Sequence, residues 1–392
     1  VAEDDGDPVD IIDMDLRDVV RLIRGKRGTT VHLTILRQGD KTERFQVSIV
    51  REKINLEEQA AKLRFEEMDI DGAKKKLAVL ELPSFYGGRS PGERQSSRDV
   101  ERLLEQARKE KAAGLLLDLS RNGGGLLENS VEIAGFFLES GGVVAVRDTF
   151  SKVQVLRDRD RDIAWNGPMV VLTSRVSASA SEIVAGALKD YRRAVIVGDD
   201  HTFGKGTVQS MVPLPEGLGA LKVTTALFFR PGGKSTQNDG VGADVMVPSM
   251  FATEDFGEKH QTYALPSQTI TPFLADGERP GIEVSDAGVP WRPVTPDIVA
   301  ELARRSQERV ATNDEFTKVR ERIAKAQERG GVVHLDELMK EKVEENAEST
   351  TGAEGEEGPD TEGAIAAEDD EKPSPQQLEA LQILADLVRL TT

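Results

Sequence analysis

Three segments of this chain hold side chains that could do chemistry. The first is Ser177-Ala178-Ser179-Ala180-Ser181-Glu182, which runs into the apolar stretch Ile183-Val-Ala-Gly-Ala-Leu188. Ser179-x-x-Glu182 is a capping box, in which a serine satisfies the orphan donors of a helix start. The same placement puts a hydroxyl where backbone N–H groups and the helix dipole can stabilise an oxyanion. The second is Asp118-Leu-Ser-Arg-Asn122-Gly123-Gly124-Gly125. Its glycines allow either a tight strand-to-helix turn or an anion-binding nest of N–H groups. The third is Thr202-Phe-Gly204-Lys205-Gly206-Thr-Val-Gln209. Five residues separate Gly198 from Gly204 and a glycine follows the lysine, so the spacing departs from a Walker loop and argues against nucleotide binding. Together, a serine at a helix start, a lysine and a Gly-rich nest permit acyl transfer. A Ser179/Lys205 dyad would need a lysine neutralised by burial, with an amide such as Gln209 holding its amine in line.

Composition removes the competing chemistries. The chain has no Cys, which excludes disulfides and thiolate nucleophiles, and its four His form no HExxH pair. The 392 residues carry 51 Lys+Arg against 69 Asp+Glu, a net charge of −18 that disfavours nucleic-acid phosphates. Twelve of those excess charges lie between Glu344 and Glu371, a stretch without Lys or Arg. The rest of the protein is nearly balanced. Such a stretch buries too little apolar surface to offset its ordering entropy and reads as a disordered linker.

The remaining pattern supplies the elements that must position the three segments. Continuous apolar runs at Leu77–Leu82, Leu115–Leu119, Met169–Leu172 and Ala194–Val197 read as strands covered on both faces. Helical patterns at about 98–112, 127–138 and 180–190 fill the gaps, which argues for a layered α/β core. Before it, residues 10–54 read as a small unit with a helix from Leu16 to Ile23, strands at Thr30–Leu36 and Phe45–Val50, and a turn at Gln38-Gly-Asp-Lys41. After about 250 come charged helices near 296–330 and 335–346. The chain ends with a helix opened by Ser374-Pro375-Gln-Gln377 and carrying Leu378, Leu381, Leu384, Leu387 and Val388. A helix that apolar must dock on its own body or on a partner.

The Ser-Ala-Ser-Ala-Ser-Glu and Phe-Gly-Lys-Gly-Thr-Val-Gln segments, preceded by Asp-Leu-x-x-Asn-Gly-Gly-Gly, resemble the carboxyl-terminal processing peptidases, and among them the tail-specific protease branch of Gram-negative bacteria. The resemblance implies a crotonase/ClpP-like layered α/β serine protease core at 55–250, after a partial PDZ domain at 1–54 whose groove helix is Leu16-Arg-Asp-Val-Val. A helical C-terminal extension at 251–345, an acidic linker at 346–373 and a docking helix at 374–392 complete the expected organisation. It implies Ser179 as nucleophile, Lys205 as general base, Gln209 orienting Lys205, and the N–H groups of Gly124 and Ala180 as oxyanion hole, with Gly123 and Gly125 as neighbouring candidates. It further implies a periplasmic endopeptidase that takes proteins by apolar C-terminal tails, works with a lipoprotein adaptor, uses no metal or cofactor, binds no nucleic acid, and meets membranes peripherally if at all. The expected start inside the PDZ domain would leave the peptidase weak or unregulated. Two departures stand out: Ser120 precedes Arg121 after Asp-Leu, and the loop from Gly198 to Gly204 is one residue longer than the family's, the extra group being His201, expected as a surface residue. The rival reading is a non-catalytic PDZ-bearing scaffold or pseudo-protease, in which the serine run is only a cap.

Overall fold

The computed structural model describes residues 1–3, 6–11, 14–38, 42–52, 60–88, 92–158, 162–215, 218–252, 256–274, 291–328 and 373–391. The predicted turn at 39–41, the helix near 335–346 and the acidic stretch up to 372 lie outside the described residues. The chain divides into two compact units, Val1–Gln59 and Ala60–Thr392.

In the first unit, β1 (Ala2–Glu3), β2 (Thr30–Gln38) and β3 (Thr42–Val50) form an antiparallel sheet in the order β1-β2-β3, and α1 spans Leu16–Ile23. Arg51 organises it. Its guanidinium donates to the Ile23 and Leu22 carbonyls at the end of α1, to Thr29 Oγ1 and to Glu3 Oε1. An arginine thereby satisfies the orphan acceptors of the helix C-terminus. His32, on β2, pairs its Nδ1 with Ser48 Oγ on β3 at 2.7 Å.

The second unit is built on a sheet of β4 (Lys62–Ile70), β5 (Ala73–Glu81), β6 (Gly114–Asp118), β9 (Met169–Thr173), β10 (Val195–Gly198) and β13 (Val245–Met246). Among the described residues its order is β13-β10-β9-β6-β5-β4; β4 pairs antiparallel with β5 and every other pairing is parallel. Parallel strands need crossovers, which helices supply on one face, while helices that follow the last strand cover the other. On one face Leu80, Leu115, Leu117 and Val171 meet α2 (Ser96–Lys109), α3 (Leu127–Gly135) and α4 (Ala180–Asp190). On the other, Leu116, Val170, Leu172 and Val197 meet α5 (Pro296–Thr312) and α7 (Pro375–Thr391), with α6 at Asp314–Glu328. A second sheet of β7 (Gly142–Asp148), β8 (Val153–Arg157), β11 (Thr207–Pro213) and β12 (Ala220–Phe229) is antiparallel in the order β11-β12-β7-β8.

The last helix docks on this chain's own sheet. It buries Ala380, Leu381, Ile383, Leu384, Leu387 and Val388, and comes so close to β6 that a Cβ on Gly114 would lie 2.9 Å from Leu384 Cδ1. Its polar groups are matched as well as its apolar ones. Arg305 and Arg309 of α5 pair with the buried carboxylates of Glu379 and Asp386. Gln377 donates its Nε2 to Glu81 and to Asp118, the last residues of β5 and β6. Unpaired, these buried groups would cost several times what they contribute when paired.

Candidate active site

The C-terminal ends of β6, β9 and β10 lie side by side, because these strands are parallel neighbours with β9 in the middle. The segments 118–125, 174–179 and 198–206 leave from those ends. Crevices outside the carboxyl ends of parallel strands are where open α/β sheets bind ligands. The three chemistry-bearing segments of the sequence thus converge because of sheet order.

Hydrogen bonds lock the serine-rich segment onto the glycine segment. Ser174 Oγ donates to the Ser120 carbonyl, Ser177 Oγ to Leu119 at 2.8 Å and Ser181 Oγ to Asn122 at 2.8 Å. Ser177 and Ser181 are fully buried and serve as scaffold. That sorts the serine run: the flanking pair holds the loop, and the middle serine is left at the turn.

Ser179 stands at that turn with φ 57° and ψ −111°. An ordinary N-cap keeps extended angles, as Thr295 does ahead of α5 at −91° and 159°. Left-handed angles on a serine cost of order 1–3 kcal/mol and persist only where the surroundings over-determine them. Capping alone requires no such strain. A sharp strand-to-helix turn that lifts a hydroxyl out of the sheet does require it. Gly124 (φ 111°) backs against this turn; a Cβ there would lie 2.9 Å from Ser179 Cβ and 3.3 Å from the Ala180 nitrogen.

Glu182 joins the Ser179 turn to the lysine loop. Its Oε2 accepts from the N–H groups of Ser179 (2.8 Å) and Lys205 (2.9 Å). Its Oε1 accepts from the Gly204 N–H (2.8 Å) and Thr202 Oγ1 (2.5 Å). The capping-box spacing had marked only the Ser179 bond; the other three come from residues twenty or more positions away. Burial pushes the Glu182 carboxyl up to about 7, against the pull of its four donors.

Lys205 is half-buried and shares one cavity of about 470 Å³ with Gly123, Ala178, Thr207 and Gln209. Thr207 and Gln209 fall on one side of β11 because side chains alternate along a strand, and opposite them Thr225 of β12 is bulged out of the pairing between Val208 and Gln209. Burial, and then the positive charge of Lys222 on β12, hold the Lys205 ammonium below the usual lysine range; Glu258 and Glu182 oppose that shift. The sign follows directly. Replacing Lys222 by Gln removes a repulsive cation, raises the Lys205 pKa, and moves the acid limb of any Lys205-dependent rate to higher pH. An unmoved limb in a kcat/KM–pH profile would separate Lys222 from the site.

The rest of the cavity comes from Val176, Phe203, Thr224 and the stretch Phe256–Leu265. Sequence reasoning missed this last wall, which lies after 250 where no motif signals it. Glu258 belongs to it and is tied to the lysine loop through Gln237, whose Oε1 accepts from the Gly206 N–H and whose Nε2 donates to Glu258 Oε1.

Two expectations change. The Gly124 N–H, expected in the oxyanion hole, donates to Asn122 Oδ1 at 2.8 Å in this conformation. The Ala180 N–H has no acceptor among the described residues, and Gly123 rather than Gly124 lines the cavity. His201, expected at the surface, is tucked in with its side chain 16% exposed; Nδ1 lies 2.6 Å from the Thr202 carbonyl and Nε2 is 3.9 Å from Asp200. It does not line the cavity. Ser120 turns both its N–H and its Oγ onto Asp118 Oδ1, closing the strand end.

Residues 76–247 match peptidase family S41, and residues 251–389 match the C-terminal domain of tail-specific protease. The chain belongs to peptidase family S41. It is 39% identical over 272 residues to the tail-specific protease of Haemophilus influenzae, covering 68% of this chain and 37% of that protein. It is 35% identical over 276 residues to the carboxy-terminal-processing protease of Bartonella bacilliformis, covering 70% of this chain and 58% of that protein. The chain thus spans between about a third and three-fifths of these relatives. Among solved structures, the photosystem II D1 C-terminal processing protease aligns over 63% of this chain and 62% of its own, at 28% identity and a TM-score of 0.45. The family matches meet near residue 250, so the cavity beside Lys205 has walls from both matched regions.

Proposed function

We propose that the second unit is the catalytic portion of a serine endopeptidase working through a Ser179/Lys205 dyad. The observation that carries this reading is the combination of a strained serine at a helix start with a half-buried, cation-repelled lysine in an adjoining cavity, both held by one buried carboxylate. In the reaction, neutral Lys205 Nζ takes the Ser179 Oγ proton as Oγ bonds to the scissile carbonyl carbon. The carbonyl electron pair moves onto oxygen, where the Ala180 N–H donates to it; the Gly124 N–H joins once Asn122 Oδ1 lets go. Collapse expels the amine, which leaves with the proton from Lys205. Water then attacks the acyl-enzyme, giving its proton to Lys205, and the released Ser179 Oγ is reprotonated from the same ammonium. Gln209, on the face of β11 that points at the cavity, orients Nζ.

The same reading extends to finer features. Residues 1–54 are part of a PDZ domain with α1 as its groove helix, substrates are proteins presented by apolar C-terminal tails, the compartment is the periplasm, and a lipoprotein adaptor delivers substrate. The tail-specific and carboxy-terminal-processing names of the relatives support this, as do the apolar cavity walls of Val176, Ala178, Phe203, Phe256 and Leu265. A serine-directed acylating probe tests the core of the proposal. The full chain is expected to be labelled once, at Ser179, with labelling lost in Ser179→Ala and slowed in Lys205→Ala; labelling equal in all three proteins would overturn it.

A further inference from the structure

A second cavity, of about 480 Å³, lies at the other end of the sheet. Its wall residues Asn166, Pro168 and Met169 lead into β9, and Arg193 leads into β10. The catalytic segments leave the opposite ends of these strands, roughly 15 Å away at 3.3 Å per residue. The far wall is Trp291, Val294, Ile298 on α5 and Leu387 on α7.

Arg193 makes this cavity unusual. Among the described residues three arginines are buried: Arg51 pairs with Glu3 at 2.8 Å, Arg175 with Asp200 at 2.9 Å, and Arg193, 2% exposed, has no carboxylate in reach. Its Nε donates to the Phe137 carbonyl (3.0 Å) and its Nη2 to that of Trp165 (2.7 Å), leaving Nη1 without a partner among the described residues. The guanidinium lies 5.8 Å from the ring centroid of Trp291. Burial alone pulls it down to about 9, so it is charged at neutral pH and uncompensated by an anion. Trp291 is also buried, and its indole N–H finds no acceptor among the described residues. At the rim Arg292 spends Nη1 on the Thr391 carbonyl.

Buried donors and charge are normally paired, because an unpaired buried ion costs several kcal/mol. Here a buried cation with a spare guanidinium nitrogen lines a cavity whose walls are mostly apolar, with Asn166, Arg292 and Thr391 as its other polar residues. Pro168, Met169, Val294, Ile298 and Leu387 offer nothing to a polar ligand body. A guanidinium fork prefers a planar carboxylate.

We propose that this cavity binds a small amphipathic carboxylate, its anionic group on Arg193 and its apolar arm against Ile298 and Leu387. The site is independent of the Ser179 chemistry. N-acetyl-L-leucine is the probe, titrated into the full chain and followed by tryptophan fluorescence, since Trp291 borders the cavity and Trp165 accepts from Arg193. The expected result is a saturable change that the neutral N-acetyl-L-leucinamide and inorganic phosphate reproduce at least about tenfold more weakly, because one lacks the charge and the other the apolar arm. Arg193→Gln should abolish the change. Should that variant fail to fold, Ile298→Phe, which narrows the cavity while keeping the charge, should weaken binding about tenfold with the thermal melt unchanged. Equal binding of the amide or of phosphate, unchanged affinity in Ile298→Phe, or no saturable change would each overturn the proposal.

Discussion

Ser179→Ala is expected to lower the hydrolysis of an unfolded reporter protein carrying an apolar C-terminal tail by at least about 10⁴-fold, while the thermal midpoint stays close to that of the parent. The two readouts separate nucleophile from cap. A serine that merely caps a helix contributes about 1 kcal/mol, so its loss would lower the midpoint and leave the rate intact. The structure favours the first outcome, because the left-handed angles of Ser179 are not those of a cap and because alanine inherits the same backbone. Lys205→Ala is expected to match Ser179→Ala, and the double variant to be no slower than either, since residues that act as a unit are not additive. Full activity in Ser179→Ala would return the serine run to the scaffold reading.

Glu182→Gln has the next largest effect. Each carboxylate oxygen accepts two donors, so the amide replaces one acceptor with an NH₂ group facing two N–H or O–H groups. Leaving buried donors unsatisfied costs about 1–3 kcal/mol each, and a displacement near 1 Å between nucleophile and base costs about 100-fold in rate. The expected signature is a kcat about 100-fold lower with KM little changed. The pH dependence has a definite sign. Raised from 4.5 to about 7 by burial, Glu182 takes up a proton as pH falls below 7, which puts an O–H among donors and loosens the lysine loop. Activity therefore falls through about pH 7 on the acid side, and this limb is absent in Glu182→Gln. Stability runs the other way. The folded state holds the proton more tightly than the unfolded chain, so this group's contribution is full below about 4.5 and is lost as pH rises through about 7. A Glu182→Gln profile that keeps the limb would assign it to Lys205 alone.

Much of the architecture was legible in the sequence because it depends on short-range patterns. The apolar runs around Leu80, Leu117, Val171 and Val197 became β5, β6, β9 and β10, since continuous hydrophobicity between glycine and proline stops suits strands covered on both sides. The helix from Leu16 ends at Ile23 and the last helix begins at Pro375, as caps and spacing indicate. The candidate site was readable to the level of residue types: serine at a helix start, lysine between glycines, an amide four residues on.

What the sequence by itself determined is therefore local: strands, helix starts, the Ser179-x-x-Glu182 box and the family those motifs mark. Only the tertiary structure decided which serines serve as scaffold, since the Ser177 and Ser181 hydroxyls are consumed by carbonyls about sixty residues away in sequence. It also decided that one carboxylate clasps the backbone of both Ser179 and Lys205, that Asn122 holds the Gly124 N–H, and that residues 256–265 wall the cavity. The physical reason is common to all four. Each depends on which strand ends are neighbours, and that order is set by burying two faces of one sheet at once, a property of no single stretch of chain.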